Sequence, residues 1–321
     1  MPDHQNLDEP AFLPLVLDPP IHRDYRQLVA PFFMPKAIAG LESRAVAIAD
    51  ELIAAIRARG ECEFITDFAA RMPVAIFLQL LDIPPRDRLE LLDIAGAIIK
   101  PETGEHRGSP LDRLFAYVRP IIEARQAEGG TDVISQLITK SVAGRPLTFD
   151  EKVKLTATLL LGGLDTVSSS LTFMTAHLAR DLALRRRLLN DPSLIPAAVE
   201  ESLRRFPVAS PGRIVRRRAT VRGVTFEPGD HVVWPNAMYN LDDHLHANPM
   251  RFDVDRKRLP HAGFGVGVHF CIGAFLARME MRIFLARWLA RIPDFSIRPG
   301  HDLRYRVGIT IALGELPLVI P

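Results

Sequence analysis

A mainly α fold with a small β part is what the sequence predicts, on three observations. Apolar residues recur at helical spacing up to Phe206, interrupted by Pro and Gly. Short alternating segments cluster between 213 and 233. Of 321 residues, 48% are hydrophobic and 24% charged, which is globular composition with ample apolar mass for a core.

The elements follow in order. Residues 19–34 read as a helix opened by prolines, and 36–59 as a helix stopped at Gly60. Residues 61–64 (ECEF) suit a short strand. Helices are expected at about 66–81, 86–99 and 110–127, with Pro84-Pro85 and the Gly-Ser-Pro at 108–110 as breaks. Thr148 and Glu151 have the spacing of a capping box. From there an apolar pattern runs to Asp181; a continuous helix of ~30 residues would be ~45 Å long. A helix at 196–206 ends at Pro207. Strands are expected at 213–215, 219–221, 224–226 and 231–233, then an irregular stretch over about 235–270, a helix at 272–290 and short strands to the end. No internal repeat is visible, and residues 1–321 read as one domain.

The gross numbers exclude several classes. Forty basic and 38 acidic residues leave a formal charge of +2, so nothing in the balance points to nucleic acid. Two cysteines cannot make a disulfide scaffold and suit a reducing, cytoplasmic setting. The opening MPDHQNLDEP has neither the basic nor the apolar region of a signal peptide. The longest uncharged apolar run, Leu155 to Leu164, is too short to cross a membrane.

The most informative segment runs from Phe264 to Arg278, FGVGVHFCIGAFLAR. A glycine-bearing loop presents Cys271 where a helix begins, and the helix dipole favours a thiolate there. Gly265 and Gly267 permit tight turning. Gly273 leaves room for something flat. A thiolate is a known axial ligand of haem iron. The plain alternative is a buried structural cysteine, which is the better reading of Cys62, where no such loop occurs. A second unusual site is Gly162-Gly163-Leu164-Asp165-Thr166, an acid and a hydroxyl inside the most apolar helical pattern. Adjacent glycines cost about 1 kcal/mol each against Ala in a helix interior. The plain reading is glycine packing with Thr166 bonded back to a carbonyl. Glu201 and Arg204, three apart on one helix face, would alone read as a surface ion pair.

Together these segments resemble the cytochrome P450 monooxygenases, and within them the bacterial camphor-hydroxylating type. The cysteine loop resembles the family's haem-binding loop, Glu201-Ser-Leu-Arg204 its E-x-x-R, Gly162–Thr166 its acid-alcohol motif, and His22-Arg-Asp-Tyr-Arg26 its H-x-x-x-R. Asn248–Phe252 with Arg256 resembles the segment that locks onto E-x-x-R. The resemblance runs from about Phe12 to Val319.

It implies a P450 fold, haem b as cofactor and Cys271 as iron ligand, with Asp165 and Thr166 delivering protons during oxygen activation. It implies that Arg26, Arg213, His269 and His22 meet the haem propionates, and that Gly162, Phe264, Gly265 and Gly273 border the cofactor. Thr158, Leu161, Ala209, Ile309 and Thr310 would line a pocket for a small apolar, terpenoid-like substrate. Pro211 stands where the camphor type has an acid, which argues against camphor itself. No flavin or nicotinamide fingerprint occurs, so electrons would come from a ferredoxin-type partner. Arg23, Arg185–Arg187 and Arg216–Arg218 with Arg222 are its candidate docking residues, or simply solvated charges.

Two rivals stand beside this reading: a catalytically impaired haem-binding remnant, and a hydrolase using Cys271 with His269. The first has a reason in the sequence. The family's first helices, main-sheet strands and pocket-capping helix would precede His22, where this chain offers MPDHQNLDEPA. The expectation is therefore that strands near 213–233 and 305–319 lack partners, leaving a free sheet edge and an unroofed pocket, with low solubility, partial haem occupancy and uncoupled turnover.

Overall fold

The computed structural model describes residues 11–100, 109–257 and 259–321. Two features of the sequence, the opening Met1–Pro10 and the Gly108 break, lie outside them.

Helices dominate. Prolines 19 and 20 precede α1 (Ile21–Val29), Pro35 opens α2 (Pro35–Ile38), and α3 (Glu42–Arg59) ends where Gly60 turns left-handed at φ 71°. Strand β1 (Glu61–Glu63), a π-helical turn at Ile65–Ala69, α4 (Met72–Leu80), α5 (Arg88–Ile99) and α6 (Pro110–Glu128) follow close to the expected bounds. Then come elements too short for periodicity to register: α7 (Val133–Leu137), capped by Asp132, and a hairpin of β2 (Ser141–Val142) and β3 (Arg145–Pro146).

The capping box forms. Thr148 Oγ1 accepts from the Glu151 amide at 3.2 Å, and Glu151 Oε2 accepts from the Thr148 amide at 2.7 Å. It opens α8 (Phe149–Leu164). The expected continuous helix is divided: α9 (Thr166–Leu178) restarts beyond Asp165, whose φ is −122°. The break falls just after the glycine pair, where the helix is intrinsically weakest. A separate α10 (Leu182–Asn190) and then α11 (Ile195–Arg205) complete the long helices before the β region.

Strands β4 (Gly212–Ile214), β5 (Ala219–Val221), β6 (Val224–Phe226) and β7 (His231–Val233) pair as β4–β7 and β5–β6, both antiparallel. No residue from Gly212 to Pro235 is buried. Helix α12 (Asn236–Asn240) interrupts the stretch expected to be irregular, and α13 (Ala274–Arg291) follows the cysteine loop. The chain closes with β8 (Ser296–Ile297), β9 (Tyr305–Val307), β10 (Ile311–Leu313) and β11 (Pro317–Val319). Here the expectation of unpartnered strands at 213–233 and 305–319 is corrected: β4 pairs with β7, β5 with β6 and β9 with β10, and β11 lies between β1 and β8. Apart from β1, the partners of the closing strands come from the end of the chain itself.

Helix α13 is the centre of the core, packed against α3, α9, α10 and α11. Phe64, Phe68, Phe284 and Trp288 meet there with ring centroids 5.1–5.6 Å apart. Burying each such ring contributes about 2–3 kcal/mol. The helix that follows Cys271 is therefore firmly anchored in the core.

Candidate active site

The cysteine loop is shaped by its glycines. Gly265 and Gly267 take φ of 72° and 70°, which only glycine adopts without strain. The Cys271 amide donates to the Phe264 carbonyl at 2.8 Å, closing the loop. Cys271 is exposed to solvent, yet enough protein lies around its sulfur for burial to dominate its titration. Burial raises the thiol pKa, while the Gly273 amide, Arg26 and Arg278 pull it back. A Cβ added to Gly273 would stand 3.9 Å from the sulfur, so this glycine keeps the space beside it clear.

The predicted cationic residues gather nearby. His22, buried on α1, lies against His269 with ring centroids 4.3 Å apart and planes tilted by 55°. Burial lowers the pKa of His269, and the charges of Arg213 and Arg26 act in the same direction. Burial and Arg26 likewise lower that of His22. Both imidazoles are thus biased towards the neutral form, able to donate without adding charge. Arg26 donates to the Phe270 carbonyl at 2.5 Å. Arg213 is exposed and donates to Gly212 O at 2.7 Å. Helix α1 is held in place by Tyr25, whose hydroxyl donates to Glu151; Arg145 donates to both oxygens of that carboxylate at 2.6 and 2.8 Å.

Behind the loop lies a buried ion network. Arg204 and Glu201 are 0% and 1% exposed in their side chains and share two hydrogen bonds of 2.7 Å. Arg256 adds a third contact to Glu201 at 3.1 Å, and Arg204 also donates to the carbonyls of Asn240, Pro249 and Arg251. The neighbouring Glu200 was not anticipated. It accepts from Arg278 at 2.5 and 2.9 Å and bonds His261 at 3.0 Å. Arg278 in turn lies over the Phe264 ring, 4.5 Å from its centroid. The only advance sign of Glu200 was a second acid beside the E-x-x-R.

At the helix break the two glycines differ. A Cβ on Gly163 would meet the Phe77 ring at 2.5 Å, so Gly163 packs α8 onto α4. Gly162 faces open space. The Thr166 hydroxyl donates back to Gly162 O at 3.3 Å. Asp165 is held on both oxygens, by the Lys100 ammonium and by the Thr310 hydroxyl at 2.8 Å. Neither partner was expected from the sequence. Ala209 and Thr310 form a β-bridge, which brings two of the predicted pocket residues together with half-open Ile309 beside them.

Three expectations change. Arg185 is buried, donates to the Phe295 carbonyl and lies over that ring at 4.6 Å, so it is no surface docking residue. Arg187 is committed to Asp255 through bonds of 2.6 and 2.7 Å. The hydrolase reading fails on geometry: His269 lies against His22, and among the described residues no side-chain base bonds the Cys271 sulfur.

An exposed thiol, a clear face at Gly273 and gathered nitrogen donors fit a flat apolar group carrying carboxylates, as haem does. Comparison with known proteins agrees. The Cytochrome P450 family model matches residues 87–302, more than half of the chain. The steroid C26-monooxygenase of Mycobacterium tuberculosis is 34% identical over 300 residues, covering 90% of this chain and 80% of that protein. The vitamin D(3) 25-hydroxylase of Pseudonocardia autotrophica is 30% identical over 328 residues, with 100% and 81% coverage. The crystal structure of CYP101J2 superposes with a TM-score of 0.88 at 40% identity, over 97% of this chain and 78% of that one. This chain belongs to the cytochrome P450 monooxygenases, haem-thiolate enzymes with protoporphyrin IX. Among the described residues no helix is long and apolar enough to cross a membrane.

Proposed function

We propose that this single-domain chain is a cytoplasmic haem-dependent monooxygenase that inserts one oxygen atom from O2 into a small hydrophobic, terpenoid-like substrate, with electrons from a ferredoxin-type protein. The observation that carries the reading is Cys271, exposed to solvent, held through its amide by the Phe264 carbonyl and beside the space that Gly273 leaves clear. When bound, haem supplies the oxygen-activating chemistry. Cys271 is its thiolate ligand. Arg26, Arg213, His22 and His269 hold its carboxylates, and Gly162, Phe264, Gly265 and Gly273 border it. Asp165 and Thr166 hold and move protons where the long helix opens.

An apolar substrate is supported by Leu161, Ala209 and Ile309, and by Thr158, whose hydroxyl is spent on the Lys154 carbonyl at 2.8 Å. A separate electron donor is supported by the lack of any flavin or nicotinamide fingerprint and by exposed Arg23 on α1. The test is the reduced, CO-bound absorption spectrum together with NADH-driven turnover by purified ferredoxin and its reductase. A thiolate-type band and product carrying one atom of labelled O2 are expected. An imidazole-type band, or product formed without O2, would refute the reading.

A further inference from the structure

The turn Gly308–Thr310 is stitched into the molecule on every side. Its Ile309 amide donates to the Ile99 carbonyl at the end of α5, at 3.0 Å. A Cβ on Gly308 would lie 2.3 Å from that same oxygen, so the turn and α5 approach as closely as backbones can. Gly308 N bonds Thr310 O at 2.9 Å, and Ile311 N bonds Val208 O at 2.8 Å. Thr310 itself is 4% exposed. A β-branched side chain on such a fixed backbone has little rotamer freedom. Its hydroxyl is therefore a rigid donor, and it is aimed at Asp165 Oδ2 at 2.8 Å. The other carboxylate oxygen is held by Lys100, the residue that follows α5. Turn, α5 and helix break thus meet at one carboxylate.

We propose that Thr310 is a positioning residue for Asp165, fixing the carboxylate in one orientation at the break between α8 and α9. This rests on the reading that Asp165 serves proton delivery. An ammonium has three donors and would take both carboxylate oxygens if left alone with them. Thr310, donating to Oδ2 from a fixed backbone, holds the carboxylate plane turned between the two donors. The division keeps Asp165 from closing wholly onto Lys100, where it would be withdrawn from proton transfer.

Thr310→Val removes the donor at nearly constant volume, and Thr310→Ser restores it. In haem-loaded crystals of Thr310→Val the Asp165 carboxylate is expected to turn onto Lys100. Coupled turnover should fall about tenfold and its solvent deuterium isotope effect should rise. The reduced-CO band should stay unchanged, and Thr310→Ser should recover turnover to within about twofold. In an Asp165→Asn background Thr310→Val should cause no further loss, because no carboxylate remains to be positioned. An unrotated carboxylate, or a loss that multiplies in the Asp165→Asn background, would overturn the proposal. If Asp165→Asn alone turns over normally, the proton-delivery reading fails instead, and the carboxylate orientation in the crystals then decides the role of Thr310.

Discussion

Arg26 on α1 donates to the carbonyl oxygen of Phe270, one residue before Cys271, at 2.5 Å. A cation expected to serve only the propionates therefore also grips the cysteine loop, so a single side chain sets both the loop and the charge around it. Arg26→Gln keeps a donor but removes the charge and the planar fork. Haem should be lost about tenfold faster to apomyoglobin, with part of the reduced-CO band shifted to the inactive form. Retention at the unmodified rate would show that the loop does not depend on this bond.

The two cysteines offer a matched pair of variants. Cys62 lies buried in β1 with its pKa pushed up to about 12, first by burial and then by Asp67 and Glu63. It is a neutral thiol paired in the sheet opposite Leu318. Cys62→Ser should leave the reduced-CO spectrum unchanged, whereas Cys271→Ser should abolish the thiolate band because a neutral hydroxyl is a poor iron ligand. Identical spectra for both variants would remove Cys271 from the site.

The pair Glu201–Arg204 is the buried ion pair that the family resemblance implied. Removing one partner strands the other charge without water. Arg204→Ala should destabilise the fold by about 3–5 kcal/mol, and holoprotein yield should collapse with it. Urea unfolding of whatever folds gives the number; a loss under 1 kcal/mol would mean that the network is only decorative.

How far the sequence carried can be judged element by element. The long helices, the capping box at Thr148 and the cysteine loop were readable because each has a local signature: period, cap or glycine placement. The break at Asp165 was half visible. The glycine pair marked the conflict, but whether a helix opens depends on what lies beside it. Lys100 and Thr310 were invisible as partners of Asp165, being 65 and 145 residues away in sequence. Arg185 shows the converse error. In a run of three arginines it looks solvated, yet α10 turns it inward onto Phe295. Periodicity places a residue on an element; only packing says which charge the fold has covered.

Glu200 gives an acid-side prediction. Burial alone would push its pKa up, but hydrogen bonds from Arg278 and His261 outweigh that and hold it at about 2. A carboxylate depressed below its ordinary 4.5 stabilises the folded state fully above that value and loses the contribution as pH falls from 4.5 through about 2. Because Arg278 stacks on Phe264, the loss should reach the cysteine loop. Haem release measured at the Soret band should steepen below about pH 4.5. Glu200→Gln should release haem more readily at neutral pH and flatten that acid limb. An unchanged profile would detach Glu200 from the loop.

Thr166 and Asp165 are neighbours whose variants should fail differently. The Thr166 hydroxyl donates to Gly162 O at 3.3 Å, a long, weak bond that is readily exchanged for another partner. Asp165 is tied to Lys100 and Thr310 and must release one of them to move a proton. Thr166→Ala should therefore keep haem and electron uptake but divert reducing equivalents into released hydrogen peroxide, with product per NADH falling several-fold, about 1 kcal/mol in partitioning. Asp165→Asn should instead slow the whole cycle, by about 10- to 100-fold, while leaving the fraction of NADH coupled to product closer to normal. Oxygen consumption, peroxide and product measured in one reaction separate the two outcomes. Unchanged coupling in Thr166→Ala would end the case for the hydroxyl, and normal turnover in Asp165→Asn would do the same for the acid.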